Sequence, residues 1–91
     1  MARRPTLKKR APRVDVRRPV ILINSDGDAS EAVILDVSSG GFRLSVEESP
    51  RIGEFVTLQV ERERFLAQIR WALGSEAGGV FLEPVDHSSL E

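Results

Sequence analysis

The chain has 91 residues, 41% of them apolar, with no cysteine and one histidine, His87. That supports a single small domain with a modest core, and it excludes disulfides, thiolate metal centres and sites built from paired imidazoles. The formal net charge of −1 conceals two unlike parts: residues 1–18 carry eight basic groups and one acid, Asp15, for +7, while the remainder carries five basic and thirteen acidic residues, for −8.

Residues 1–13 have little apolar content and two prolines, Pro5 and Pro12, so this basic segment is expected to be an extended or disordered arm able to reach across the body. A short basic helix over residues 6–10, stopped by Pro12, is the other reading. From Val14 the run V-D-V-R-R-P-V-I-L-I predicts a strand to about Ile23, with Pro19 at an edge, a bulge or an interruption. N-S-D-G-D at 24–28 reads as a hairpin turn, and residues 31–35 return as a second strand. D-V-S-S-G-G at 36–41 is the next turn. In residues 42–46, Phe42, Leu44 and Val46 alternate with Arg43 and Ser45, which predicts a third strand with one apolar face.

After a loop at 47–53, Val56, Leu58 and Val60 place the apolar set of a fourth strand on one side. Residues 61–64 are expected at a charged hairpin tip and 65–71 in a fifth strand. A helix over 61–72 competes on propensity, but the short, regularly spaced neighbours favour strands. Residues 74–79 read as a loop, 80–82 with their flanks as a sixth strand, and the end as a polar tail with room for one or two helical turns at most. The expected architecture is all-β, a six-stranded antiparallel barrel or sandwich, and closure into a barrel would protect the strand edges. The boundaries are an arm at 1–13, the barrel at 14–85 and a tail at 86–91. No apolar run approaches the roughly 18 to 20 residues of a membrane span, and the basic N-terminus lacks the apolar segment of a signal peptide, so a soluble, cytoplasmic protein is expected.

Catalysis has little to work with. His87 lies in the tail, the carboxylate pairs Glu47/Glu48 and Glu61/Glu63 fall in charged loops, and no phosphate loop with its lysine and helix is present, so the chain reads as a non-enzyme without a cofactor. Binding is better served. In D-V-S-S-G-G, Asp36 supplies an acceptor, Ser38 and Ser39 supply hydroxyls, and the glycines allow positive φ or close approach; the same residues also suit a plain tight turn. Arginines on the arm could chelate a guanine edge, pair with phosphate or stack on a purine. Trp71 and Phe42 could stack on a base, but their positions suit the core better.

Together these stretches resemble the PilZ domain family, bacterial receptors of cyclic di-GMP. The family pairs R-x-x-x-R before its first strand with D/N-x-S-x-x-G between the next two, and residues 36–41 match the second motif in full. The likeness extends through V-x-V-R-x-P-V at 14–20, G-F-R-L at 41–44, I-G-E at 52–54, I-R-W at 69–71 and G-V-F-L-E-P at 79–84. A literal search finds Arg13-x-x-x-Arg17, but the block at 14–20 sets another register, with Arg13 as the second arginine and Lys9 in place of the first. Lys9 keeps the charge and lacks the planar fork, while the adjacent Arg10 is placed to compensate. The resemblance implies a six-stranded barrel with little or no C-terminal helix. It implies that Arg13 and Arg10 grip guanine and phosphate with Lys9 as a weaker phosphate contact, that Asp36 and Ser38 bond the guanine edge and nearby backbone, and that Gly41 keeps the turn. It also implies an arm that reorders over the barrel on binding cyclic di-GMP and alters contact with a protein partner in motility or biofilm control. A PilZ-like adaptor that has lost the ligand is the alternative, and nucleic-acid binding through the arm is a third reading, opposed by the acidic body.

Overall fold

The computed structural model describes residues 14–84. Period-two alternation organises these residues into six strands: β1 Val14–Ile23, β2 Ala29–Ser38, β3 Gly41–Val46, β4 Phe55–Val60, β5 Glu63–Leu73 and β6 Glu76–Phe81. All pair antiparallel in the closed order β1-β2-β3-β6-β5-β4. Closure leaves one sealed interior, in which Ile34, Val37, Leu44, Leu58 and Ile69 are the largest fully buried side chains. Phe42, Phe65 and Phe81 extend the core as tilted and edge-on ring contacts, with centroids 5.0 and 6.1 Å apart, the offset geometry aromatic rings prefer. The arm and the C-terminal tail, including any helix there, lie outside the described residues.

The strands differ from the sequence reading in length. β2 runs on through Asp36 to Ser38 and β3 starts at Gly41, so the turn between them shrinks to Ser39-Gly40. β5 covers Glu63–Leu73 rather than 65–71, leaving Glu61-Arg62 as a two-residue tip with Glu61 at φ 57°. The expected loop at 74–79 is incorrect: β6 begins at Glu76, and Gly78 and Gly79 are strand residues. The glycines suppressed the strand signal, yet space requires them. A Cβ on Gly79 would stand 2.0 Å from the Gln68 carbonyl oxygen, and one on Gly78 would stand 2.3 Å from the Trp71 ring.

Three bulges interrupt the alternation. They fall between Asp15 and Arg18 of β1, between Ile34 and Asp36 of β2, and between Ile69 and Trp71 of β5. An extra residue in one strand shifts which side chains face inward beyond it. Arg17, at the β1 bulge, has φ 52°. Pro19 pairs with Val33 of β2, whereas β4 joins β1 only at Ile21–Ile23, so Pro19 occupies a stretch with one neighbour, where its missing N–H is tolerated.

At the far end, Glu54 fastens the β1–β2 hairpin to the loop before β4. Its carboxylate accepts hydrogen bonds from the Ser25 N–H and hydroxyl at 3.1 and 2.8 Å and from the Arg51 N–H at 3.1 Å. The hairpin itself is held by the Asn24 side-chain oxygen, which accepts from the Asp26 and Asp28 N–H groups, both at 2.9 Å. The Ser25 bonds, first the backbone and then the hydroxyl, lower the Glu54 pKa against the opposing effect of burial, with Arg51 adding to the lowering. A carboxylate depressed in the folded state contributes stability above its unfolded pKa, about 4.3, and loses it as pH falls through the folded value. Glu54→Gln is therefore expected to lower stability at pH 7 and to flatten the stability loss below about pH 4.3, read from urea unfolding midpoints at several pH values.

Candidate functional site

The β2 bulge decides where Asp36 points. Ala32 and Ile34 face the interior, and unbroken alternation would send Asp36 after them; the extra residue, Leu35, instead turns Val37 inward, where it is fully buried opposite Phe42. Asp36 thus lies on the outer face opposite Arg43, yet it is only 4% exposed. Arg43 donates from Nε to Asp36 Oδ2 and from Nη1 to Glu76 Oε1, both at 2.9 Å. These partners, Asp36 first, raise the Arg43 pKa above its ordinary value. Asp15 is the ladder neighbour of Asp36 on the β1 side.

Two residue pairs beyond Asp36–Arg43, Ser38 sits opposite Gly41. Gly40 takes φ 87°, and its carbonyl accepts the Phe81 N–H at 2.8 Å, tying the turn to β6. Gly41 serves close approach instead: a Cβ there would stand 3.2 Å from the Gly79 oxygen and 3.5 Å from Ser38 Oγ.

The β5 bulge supplies the facing wall. Ala67 and Ile69 point inward, and continued alternation would bury Trp71. The extra residue, Arg70, reverses the phase, so Arg70 and Trp71 are both exposed, with the indole against Gly78. The core placement expected for Trp71 is thus corrected, since the residue is 38% exposed, whereas Phe42 is buried as expected. Arg70 and Trp71 join Ser38, Ser39, Gly40 and Gly41 around an open cleft of about 510 Å³. It offers hydroxyls, backbone groups, one guanidinium and the edge or face of an indole, a set suited to a flat polar ring bearing anionic groups.

Of the residues singled out in the sequence, the structure brings Ser38 and Gly41 to this cleft and places Asp36 on the same outer face behind the turn. Lys9, Arg10 and Arg13 lie outside the described residues. Sequence reasoning missed Arg70 as a lining residue; I-R-W was the available signal, read there as strand and as part of the family likeness but without a site role for Arg70. A larger groove of about 590 Å³ bordered by Pro19, Ile21, Val33, Glu31, Glu47 and Glu61 lies away from the turn. Its acidic rim does not suit an anion.

A family model described as the PilZ domain matches residues 7–91. The chain belongs to the PilZ domain family. No curated protein matches it. PilZ domains are binding domains rather than enzymes, with a general role in receiving cyclic di-GMP. No helix among the described residues is long and apolar enough to cross a membrane.

The Trp71–Gly78 contact can be tested without ligand. Gly78→Ala is expected to push the indole off the sheet, because a Cβ cannot share its space. Trp71 is the single tryptophan, so its emission should move to longer wavelength while far-ultraviolet circular dichroism keeps its strand signature.

Proposed function

We propose that this PilZ domain is a non-enzymatic cytoplasmic receptor for cyclic di-GMP. The observation that carries the reading is the cleft in which Ser38, Ser39, Gly40 and Gly41 of the D-x-S-x-x-G motif face Arg70 and Trp71. The turn supplies hydroxyls and close backbone approach for a guanine edge, and Trp71 offers an aromatic surface for a base. Arg70 supplies a guanidinium for a phosphate or a guanine O6/N7 edge. Arg13 and Arg10 from the preceding arm complete the grip, with Lys9 as a weaker phosphate contact, and Asp36 and Ser38 take the guanine edge and nearby backbone.

The arm is the output device in this reading. Its basic groups gather over the bound nucleotide through charge-assisted hydrogen bonds, which offset the entropy of ordering it. The changed surface then meets a protein partner, in motility or biofilm control.

The test is calorimetric titration of cyclic di-GMP into the full chain at moderate salt, with GTP and cyclic GMP as controls. Selective binding is expected, accompanied by thermal stabilisation of about 2.7 kcal/mol at a hundredfold excess over Kd. Arg13→Ala should weaken binding by about ten- to a hundredfold, the range of a lost charge-assisted bond, and Lys9→Arg should tighten it. A larger loss from Arg17→Ala than from Arg13→Ala would assign the motif to the literal Arg13/Arg17 register. No heat and no thermal shift would leave the domain as a protein-binding adaptor, the reading favoured by lysine at position 9.

A further inference from the structure

We propose that Arg43, which is outside both signature motifs, is a positioning residue for the nucleotide site and acts through Asp36. The inference rests on the cyclic di-GMP reading above.

Asp36 has an unusual setting for an outer-face carboxylate. It is 4% exposed, and a buried carboxylate is costly unless its charge is met by a hydrogen-bonded partner. Across the ladder on the β1 side stands Asp15, a like charge directly opposite and so unfavourable. Across on the β3 side stands Arg43, which places Nε 2.9 Å from Asp36 Oδ2. Arg43 therefore offsets both burial and the Asp15 repulsion and fixes the plane of the carboxylate from one side.

Glu76 gives the arrangement its rigidity. It holds Nη1 of the same guanidinium at 2.9 Å, so Arg43 is restrained at both ends of its planar fork and stays along the sheet surface. A lysine could satisfy one carboxylate but could not span two in a fixed plane. Arg43, Gly78 and Trp71 are also successive cross-strand neighbours on β3, β6 and β5. The residue that aims Asp36 thus belongs to the same row as the indole at the cleft.

This differs from a general electrostatic contribution to binding a dianion, and a double-mutant cycle separates the two. Cyclic di-GMP affinity would be measured by calorimetry on the full chain for wild type, Arg43→Gln, Asp36→Asn and the double variant, with circular dichroism and melting curves for each. The Asp36→Asn side chain keeps an acceptor oxygen without a charge that needs neutralising. If Arg43 acts through Asp36, Arg43→Gln weakens binding about tenfold in the wild-type background and less than about twofold in the Asp36→Asn background, a coupling typical of contacting residues. Arg43→Lys should fall between wild type and Arg43→Gln, and it serves as the folded probe if Arg43→Gln does not fold.

Equal losses in both backgrounds would mean that Arg43 acts on the phosphates through space, and would overturn the proposal. So would an Arg43→Gln or Arg43→Lys variant that binds as tightly as wild type. Wild-type protein that fails to bind overturns the receptor reading and this inference with it, an outcome distinct from wild type binding and the cycle closing additively.

Discussion

A closed barrel of short strands allows each side chain only two directions, into the sealed core or out to the surface, and along a regular strand the choice alternates without exception. The shape of the candidate cleft depends on breaking that alternation at particular places. In β2 and β5 the bulges interrupt runs whose apolar residues already point inward, and in each case the residues released outward carry chemistry: Asp36 in one strand, Arg70 and Trp71 in the other. A bulge costs a ladder hydrogen bond and gains a rotated side chain. Without these two, an aspartate and a tryptophan would be driven toward an interior where Ile34, Leu44 and Ile69 leave no room for them.

The same constraint explains what could be read in the sequence. The β3 and β4 cores, Phe42, Leu44 and Val46 with Val56, Leu58 and Val60, follow unbroken alternation and were legible residue by residue. Trp71 was not, because alternation from Ala67 and Ile69 argues for burial, and nothing in I-R-W marks Arg70 as an inserted residue. The start of β6 was hidden for a different reason. Gly78 and Gly79 have poor strand propensity, and their value lies in what approaches them: the Trp71 ring at one and the Gln68 backbone at the other. Such reasons are tertiary and leave no local trace. The D-x-S-x-x-G turn was legible as a motif, but the role of its last glycine was not. Gly40 holds the positive φ, while a Cβ on Gly41 would crowd the Gly79 oxygen at 3.2 Å.

Electrostatics divides the surface of the barrel. At one end, Glu54 is a closed structural fastening, its carboxylate bonded by Ser25 and Arg51. Near the turn, Asp36, Arg43 and Glu76 form an acid-base-acid row half open to water, with Arg43 37% exposed. The first arrangement stabilises a hairpin. The second is charged and oriented, and it lies on the outer face behind the turn that lines the cleft.

The pairing of β1 has a mechanical consequence. From Val14 to Val20 the backbone of this strand is paired with β2 alone, with β4 joining at Ile21, while the Arg18 side chain donates a hydrogen bond to Glu61 at the β4–β5 tip. This margin contains the Arg17 bulge and Pro19, two points where the strand is already bent or lacks a donor. The first part of β1 is therefore held by one backbone ladder, by Val16 against the core and by the Arg18–Glu61 pair, while the remainder has a ladder on each side and keeps the barrel shut. Because Glu61 is exposed, added salt weakens that pair and leaves the β1–β2 ladder as the main tie on the leading end of the strand.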